Sequence, residues 1–395
     1  MISRRQFLET GAAGSAVPLL AGPARPPVQP AADFPITANG RSFLNSAYIA
    51  PIPRCVQAAA ADFARGKAEE PLDVRTLLGA AERVRVKFAA LINASPDEIG
   101  LLFSTAEGEN VMAAGLDLQP GDNVVIDDLH YDTEFILYRE LERTKGIELR
   151  IARNRGGVAG VEEFAPLVDH RTRLLSVAWI SHRNGFHHDM SALADLAHSH
   201  GALIYADAIQ AVGSVVVDVR KAGVDALCAG SYKWLFAGWG VAPFFVRQSV
   251  IGRLRLDRYG EMHASEASDG RFDIDPTARR FDYSSRAFGE IHALEAALDY
   301  IDGLGIARIE AHGIGLAARL SEAVERLGLR AATPPGNRSP IVAVRCRVSM
   351  EIAKAAFAAA KVDVTVRGGH VRLAPAIFNT ADDIDRAVDV LRRLL

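Results

Sequence analysis

Cysteine is scarce in this chain, and its placement excludes more than its number does. Cys55, Cys228 and Cys346 lie far apart, so they offer neither the paired spacing of a structural metal site nor a disulfide framework. An excess of one charge is also missing: 45 Lys plus Arg stand against 48 Asp plus Glu, interspersed, for a formal net charge of -3. That balance leaves no footprint for nucleic acid or for an acidic membrane surface. No apolar run is long enough to span a bilayer as a helix; the nearest approach, Thr10 to Gly22, is short and rich in glycine and alanine. There is no internal repeat and, beyond the first residues, no low-complexity tract. What is present is an ordinary globular composition, 49% hydrophobic and 24% charged over 395 residues, enough for one large domain and a smaller one. Small-molecule chemistry is the expectation.

The amino terminus, MISRRQFLETGAAG, sets Arg4 and Arg5 ahead of Phe7, Leu8 and the modest apolar run. The order resembles a twin-arginine export signal, with Glu9 where a lysine is common. The expectation is cleavage near Ala24, a proline-rich leader to residue 32, and a periplasmic or extracytoplasmic protein without a stable membrane anchor.

After the leader, FLNSAYIAPIPRCV reads as an extended arm, and alanine-rich amphipathic spacing predicts helices over Cys55–Lys67 and Val74–Ile92. Short apolar runs then alternate with helical patterns: strands at EIGLLF, Asn123–Ile126, Ile147–Ala152, Leu174–Ile180 and Ala202–Ala206, and a helix over Ser191–His200. This alternation predicts an α/β fold with right-handed crossovers and a mostly parallel sheet. The pattern is looser from Arg247 to Asp275. A helix with Ile291, Leu294, Leu298 and Ile301 on one face then leads into strands at Ile341–Arg345, Val362–Val366 and His370–Leu373 and a closing helix striped by Ile384, Val388 and Leu391. The expected division is arm plus large domain over 33–288 and a small domain over 289–395.

Leu203 to Gly240 carries the chemistry. A buried strand ends in Asp207, a turn holds Gln210, and a second apolar strand leads to Lys233 in Ser-Tyr-Lys-Trp, so opposite charges meet at the carboxyl edge of the sheet. A sheltered lysine loses its proton more easily and can form a Schiff base, while an unpaired buried carboxylate would be costly. Pyridoxal phosphate uses both: Lys233 takes the aldehyde, Asp207 pairs with the ring nitrogen and Gln210 donates to the ring hydroxyl. The phosphate falls at Thr105 and Ala106, where a strand feeds a Ser/Thr-capped helix start. Tyr131, after a strand end, can lie flat on a planar ring, and His182, also at a strand end, is kept as a cofactor contact. His182, His187 and His188 invite a zinc reading but lack a partner cluster at ligand spacing, so no metal is expected.

D-A-I-Q-A-V-G followed by V-D-A-L-C-A-G-S-Y-K-W-L resembles the class V aminotransferase group of fold-type I pyridoxal phosphate enzymes, which includes cysteine desulfurases, isopenicillin N epimerase and kynureninase. The resemblance covers roughly Asn39 to the end. It implies a large domain built on a seven-stranded-type sheet and a smaller α+β carboxyl-terminal domain, with Lys233 as the Schiff-base lysine, Asp207 on the ring nitrogen, Gln210 on the ring oxygen and Tyr131 stacked on the ring. It implies Thr105 on the phosphate, with Ala106 offering only its backbone N–H, and Tyr232 where desulfurases tend to carry a phosphate-binding histidine. RFDYSS resembles the segment that reaches a neighbouring subunit's phosphate, which implies a homodimer with active sites at the interface and gives Ser285 that role. H-V-R-L-A-P-A-I-F-N-T implies that Arg372 clamps the substrate carboxylate, with Arg367 as a second candidate.

One departure bears on the reaction. Desulfurases carry a cysteine on the loop before this arginine, and here Gly368, Gly369, His370 and Val371 fill it. The expectation is a carbon–sulfur lyase or desulfurase-like enzyme acting on an amino acid without a catalytic cysteine. Transamination and epimerisation are alternatives within the family, and a non-catalytic binding protein on the same fold is the alternative from another class.

Overall fold

The computed structural model describes residues 30–395. The Arg4-Arg5 signal and the cleavage point lie outside the described residues. The centre of the molecule is a seven-stranded sheet in the spatial order Ile99–Leu102, Ala242–Val246, Ala226–Cys228, Leu203–Asp207, Thr172–Ala178, Asn123–Asp127, Glu148–Ala152. Every pairing is parallel except the two made by Ala242–Val246, which is antiparallel to both its neighbours. Helices cover both faces, so the central strands read as unbroken apolar runs. Their side chains still alternate: Leu203 and Tyr205 join the cluster of Met112, Ile126 and Phe244, whereas Ile204 and Ala206 join Val125, Leu175 and Phe88 on the other face.

Local chemistry sets the helix starts. Asp73 caps Val74–Leu91 by accepting from the N–H groups of Arg75 and Thr76, and Ser104 caps Thr105–Gly115 by accepting from Glu107 N. Val74–Leu91 buries Ala81, Val84 and Phe88 in the same cluster as Ile291, Leu294 and Leu298 of Phe288–Leu304. Beyond that helix, Ile306–Arg326, Met350–Ala359 and Ala381–Arg393 enclose a three-stranded antiparallel sheet of Val342–Arg345, His370–Leu373 and Thr365–Arg367 around a separate apolar cluster.

The arm is built into both halves. Ser42–Phe43 pairs in parallel with Val362–Asp363, Asn45 bridges to Ala374, and Ala50 N donates to Tyr232 O. Among the described residues no helix is long and apolar enough to cross a membrane.

Three expectations need correction. The strand before the lysine is only Ala226–Cys228, and Lys233 sits in the irregular turn that follows, not at a strand end. The segment Val362–Val366 is two short strands, Val362–Asp363 and Thr365–Arg367, broken at Val364 because the first pairs with the arm and the second with His370–Leu373. The loose stretch after Arg247 contains a hairpin of Ala264–Glu266 and Phe272–Ile274.

Candidate active site

The carboxyl ends of Leu203–Asp207 and Ala226–Cys228 bring the key side chains together. Two glycines permit the close approaches involved. At Gly108, on Thr105–Gly115, a Cβ would run into Cys228, so the helix can rest directly on that strand and present its first turn to Gly230. At Gly213 the backbone is left-handed (φ 89°) and a Cβ would meet the Trp234 carbonyl, so the turn after Asp207 can lie against the lysine segment. That segment is pinned: Ser231 Oγ donates to the carbonyls of Gly238 and Val241, and Phe236 N donates to Lys233 O. Phe236 itself is left-handed (φ 54°), uncommon for a bulky residue, and its ring packs edge-on against Phe34 of the arm at 5.5 Å.

Lys233 is buried, and among the described residues its amine makes no hydrogen bond or ion pair. Burial pushes its pKa down to about 8; the Asp207 charge pulls it back up and Arg372 adds to the fall. Asp207 accepts from Ile209 N at 3.0 Å through one oxygen, leaving the other without a protein donor, and burial raises its pKa while that N–H and the Lys233 charge oppose the rise. Gln210 is fixed at both ends of its amide, with Nε2 donating to Ala47 O (2.9 Å) and Oε1 accepting from Trp234 Nε1 (2.8 Å). The indole therefore sets which way the amide faces, and the second Nε2 hydrogen stays available. Thr105 Oγ1 accepts from Gly230 N at 2.9 Å, which leaves the hydroxyl hydrogen to donate at the helix start.

These groups border two cavities. The smaller, of about 120 Å³, is lined by Thr105, Ala106, Asp207, Gln210 and Glu134 and reaches Tyr131, His182, Tyr232 and Lys233. The larger, of about 870 Å³, shares those last four residues and extends to Tyr48, Arg367 and Arg372. Tyr131 is half exposed and meets His182 edge-on, with centroids 5.0 Å apart. Tyr232 stacks on Trp239 at 5.4 Å. Arg372 is 8% exposed; it donates to His182 O (2.6 Å) and Thr365 Oγ1 (3.3 Å), its Nε has no partner, and among the described residues no carboxylate pairs with it. Burial, with Arg367 nearby, lowers its pKa to about 10. A buried guanidinium without a counter-ion, beside a buried amine without a partner and a carboxylate with one oxygen unengaged among the described residues, is a site shaped for an anionic, carbonyl-bearing ligand set. The residues present thus fit pyridoxal phosphate and an amino acid.

The other sites expected from the sequence are placed differently. Arg367 lines the larger cavity but is exposed and paired with Asp132 at 3.2 Å. Ser285 is exposed and borders neither cavity; its segment is braced by Asp282, which accepts from Leu101 N (2.7 Å), Arg286 Nε (3.0 Å) and the buried Arg85. His187 and His188 are engaged elsewhere, the first with Trp179 and Arg338 O, the second with Asp127 at 2.6 Å.

Behind Asp207 lies a group that sequence reasoning misses. Glu109 and Glu134 are buried, each with one oxygen lacking a hydrogen-bond partner, and ligand atoms of His130, Glu134 and Asp207 lie within 4.8 Å of one another. Burial raises Glu109 to about 7 and, helped by the neighbouring Glu109 and Asp207 charges, raises Glu134 to about 10. Burial lowers His130 to about 4. Its tautomer follows from its contacts, because Nδ1 accepts from Tyr131 N at 2.8 Å and Nε2 faces Ser176 Oγ at 3.1 Å. The 3.6 Å approach of His130 to Glu134 is thus between neutral groups. The only hint in the sequence is a glutamate on the Asp132–Lys145 helix one turn ahead of Tyr138, whose hydroxyl donates to Glu109.

A family model described as aminotransferase class-V matches residues 43–384. Among curated proteins, the chain is 28% identical over 302 residues to a probable cysteine desulfurase of Methanothermobacter thermautotrophicus, covering 76% of this chain and 75% of that one. It is 28% identical to a cysteine desulfurase of Klebsiella pneumoniae over 92% of this chain and 97% of the relative. Among solved structures, the cysteine desulfurase CsdA of Escherichia coli superposes with a TM-score of 0.84 at 21% identity, over 94% of this chain and 99% of that one.

Proposed function

Because the chain belongs to the class V aminotransferase family of pyridoxal phosphate enzymes, we propose that it cleaves a carbon–sulfur bond in an amino acid or amino-acid derivative. The observation that carries the reading is the convergence of Lys233, Asp207 and an Arg372 without a counter-ion on adjoining cavities that no cysteine lines. The similarity to cysteine desulfurases supports carbon–sulfur chemistry. The loop before Arg372 holds Gly-Gly-His-Val, and Cys346, whose N–H donates to Gly369 O, packs against the carboxyl-terminal apolar cluster. Sulfur would therefore leave directly and not on a protein thiol.

When bound, pyridoxal phosphate supplies an electron sink for charge developing at the substrate α-carbon. Thr105 Oγ1 and the Ala106 N–H would hold the phosphate, with Ser285 from a second copy and Tyr232 at its rim. Asp207 would hold a proton at the ring nitrogen, Gln210 would donate to the ring oxygen, and Tyr131 and His182 would flank the ring. Arg372 would orient the substrate by its carboxylate, with Arg367 further out. Lys233 Nζ, with its pKa drawn near neutrality, would take the α-proton and return it.

Borohydride treatment of the loaded protein should abolish its visible absorbance and leave the reduced pyridoxyl group on Lys233. Incubation with L-cysteine or a thioether amino acid should release sulfide or thiol. Transamination would instead yield a keto acid with a second amino acid, and epimerisation would invert the stereocentre. A colourless protein with no reducible adduct would sink the reading and leave a binding protein on the same fold.

The role given to Ser285 requires a homodimer, so the loaded protein is expected to sediment at twice the chain mass. Export by the twin-arginine route completes the proposal; lysines in place of Arg4 and Arg5 should leave the protein in the cytoplasm, and undiminished export would overturn it.

A further inference from the structure

The larger cavity has a one-sided charge. Arg183, Arg330, Arg345, Arg367 and Arg372 line it, and among the described residues no aspartate or glutamate does. Their situations differ. Arg183 and Arg367 share one carboxylate, Asp132, at 2.7 and 3.2 Å. Arg372 is buried and committed to the α-carboxylate in the function proposed above. Arg330 and Arg345 remain, and among the described residues neither guanidinium has an ion pair or a hydrogen bond.

The fold holds these two side by side. Arg345 N donates to Arg330 O at 2.9 Å, and Ala331 and Val344 form an antiparallel bridge next to them. Like charges opposed across an antiparallel pair destabilise it, so the arrangement is unfavourable until an anion arrives. The facing wall is fixed: Asn184 Nδ2 donates to Gly157 O (2.8 Å) and Ala332 O (3.4 Å), tying the glycine turn to the segment that carries Arg330. At about 870 Å³ the cavity lies in the range that takes a drug-sized ligand, more than a small amino acid such as cysteine fills.

We propose that Arg330 and Arg345 form a distal anion subsite, and that the substrate is an amino acid whose side chain ends in a second acidic group, a carboxylate or sulfonate. The inference rests on the proposed function, because Arg372 and Lys233 define the near end of the substrate. It assigns the two arginines to positioning of the far end, beyond the bond that breaks.

The test compares S-(3-carboxypropyl)-L-cysteine with its terminal amide, which matches it in shape but lacks the charge, by spectral titration of the pyridoxal phosphate-loaded protein. The acid should bind about tenfold more tightly than the amide, as a partly solvated charge-assisted pair allows. That preference should shrink as salt is raised. In the R330Q/R345Q variant the acid should weaken about tenfold more than the amide does. Equal binding of acid and amide by the unaltered protein, or a preference that survives in the variant, overturns the subsite while leaving the proposed function standing. No spectral response to either compound or to L-cysteine would count against the proposed function itself.

Discussion

The Lys233→Ala protein is expected to turn over its substrate roughly 10²- to 10⁴-fold more slowly than the unaltered enzyme, the range that a positioned proton-transfer group contributes. Neither His182, His130 nor Tyr232 can take over. His182 is held down to about 2, first by burial and then by the charges of Arg183 and Arg372, and so is too weak a base. His130 is both weakened and engaged on its two nitrogens. Tyr232 is pushed up to about 12 and keeps its proton at neutral pH. The fold should tolerate the change, since the buried amine makes no hydrogen bond that alanine would orphan. The measurement is kcat on protein saturated with cofactor, alongside borohydride labelling; kcat within a few-fold of the unaltered value in protein that no longer takes the label would refute Lys233 as the base.

Glu134→Gln should stabilise the protein by on the order of 1–3 kcal/mol at pH 8 and by little at pH 5. The sign follows from linkage. Burial, with Glu109 and Asp207 nearby, makes the folded carboxyl bind its proton far more tightly than the unfolded one, with a pKa of about 10 against an ordinary 4.5. Its contribution to stability is intact below 4.5 and is lost progressively as pH rises toward about 10, because unfolding releases a proton that folding must recover. Glutamine has the shape of the protonated acid and never ionises, so this loss disappears. Denaturant unfolding of the cofactor-free protein at the two pH values would check it. Equal destabilisation at both would mean that Glu134 works as an ionised partner.

What can be read from residues alone, and what cannot, divides along physical lines. Leu203–Asp207 is legible because a strand covered on both faces is an unbroken apolar run, and the ordered set is legible because Ser104 starts a helix, Asp207 ends a strand, and Gln210 and Lys233 follow in the turns just beyond strand ends. Ile306–Arg326 is not. Gly313 and Gly315 interrupt its pattern, and the reason for the first is tertiary, since a Cβ there would come within 3.3 Å of the Pro340 side chain. The Trp234 contact that fixes Gln210 and the convergence of Glu109 and Glu134 behind Asp207 join segments remote in the chain, and no local periodicity encodes them. The pair Arg330 and Arg345 hides for a related reason: each looks like a solvated surface charge until strand pairing sets one beside the other.

The arm has a consequence in time. Asn45 Oδ1 accepts from Thr365 Oγ1 across 320 residues of chain, and Ala47, whose carbonyl holds Gln210, belongs to the same stretch. On a ribosome the sheet strands emerge long before Thr365 does, so a nascent chain can build the floor of the pocket while its wall has nothing to dock on. The wall of the site is therefore finished only once the segment around Thr365 has emerged. A nascent chain that stalls before Thr365 and Arg372 would carry Lys233 and Asp207 without that wall of the pocket around them.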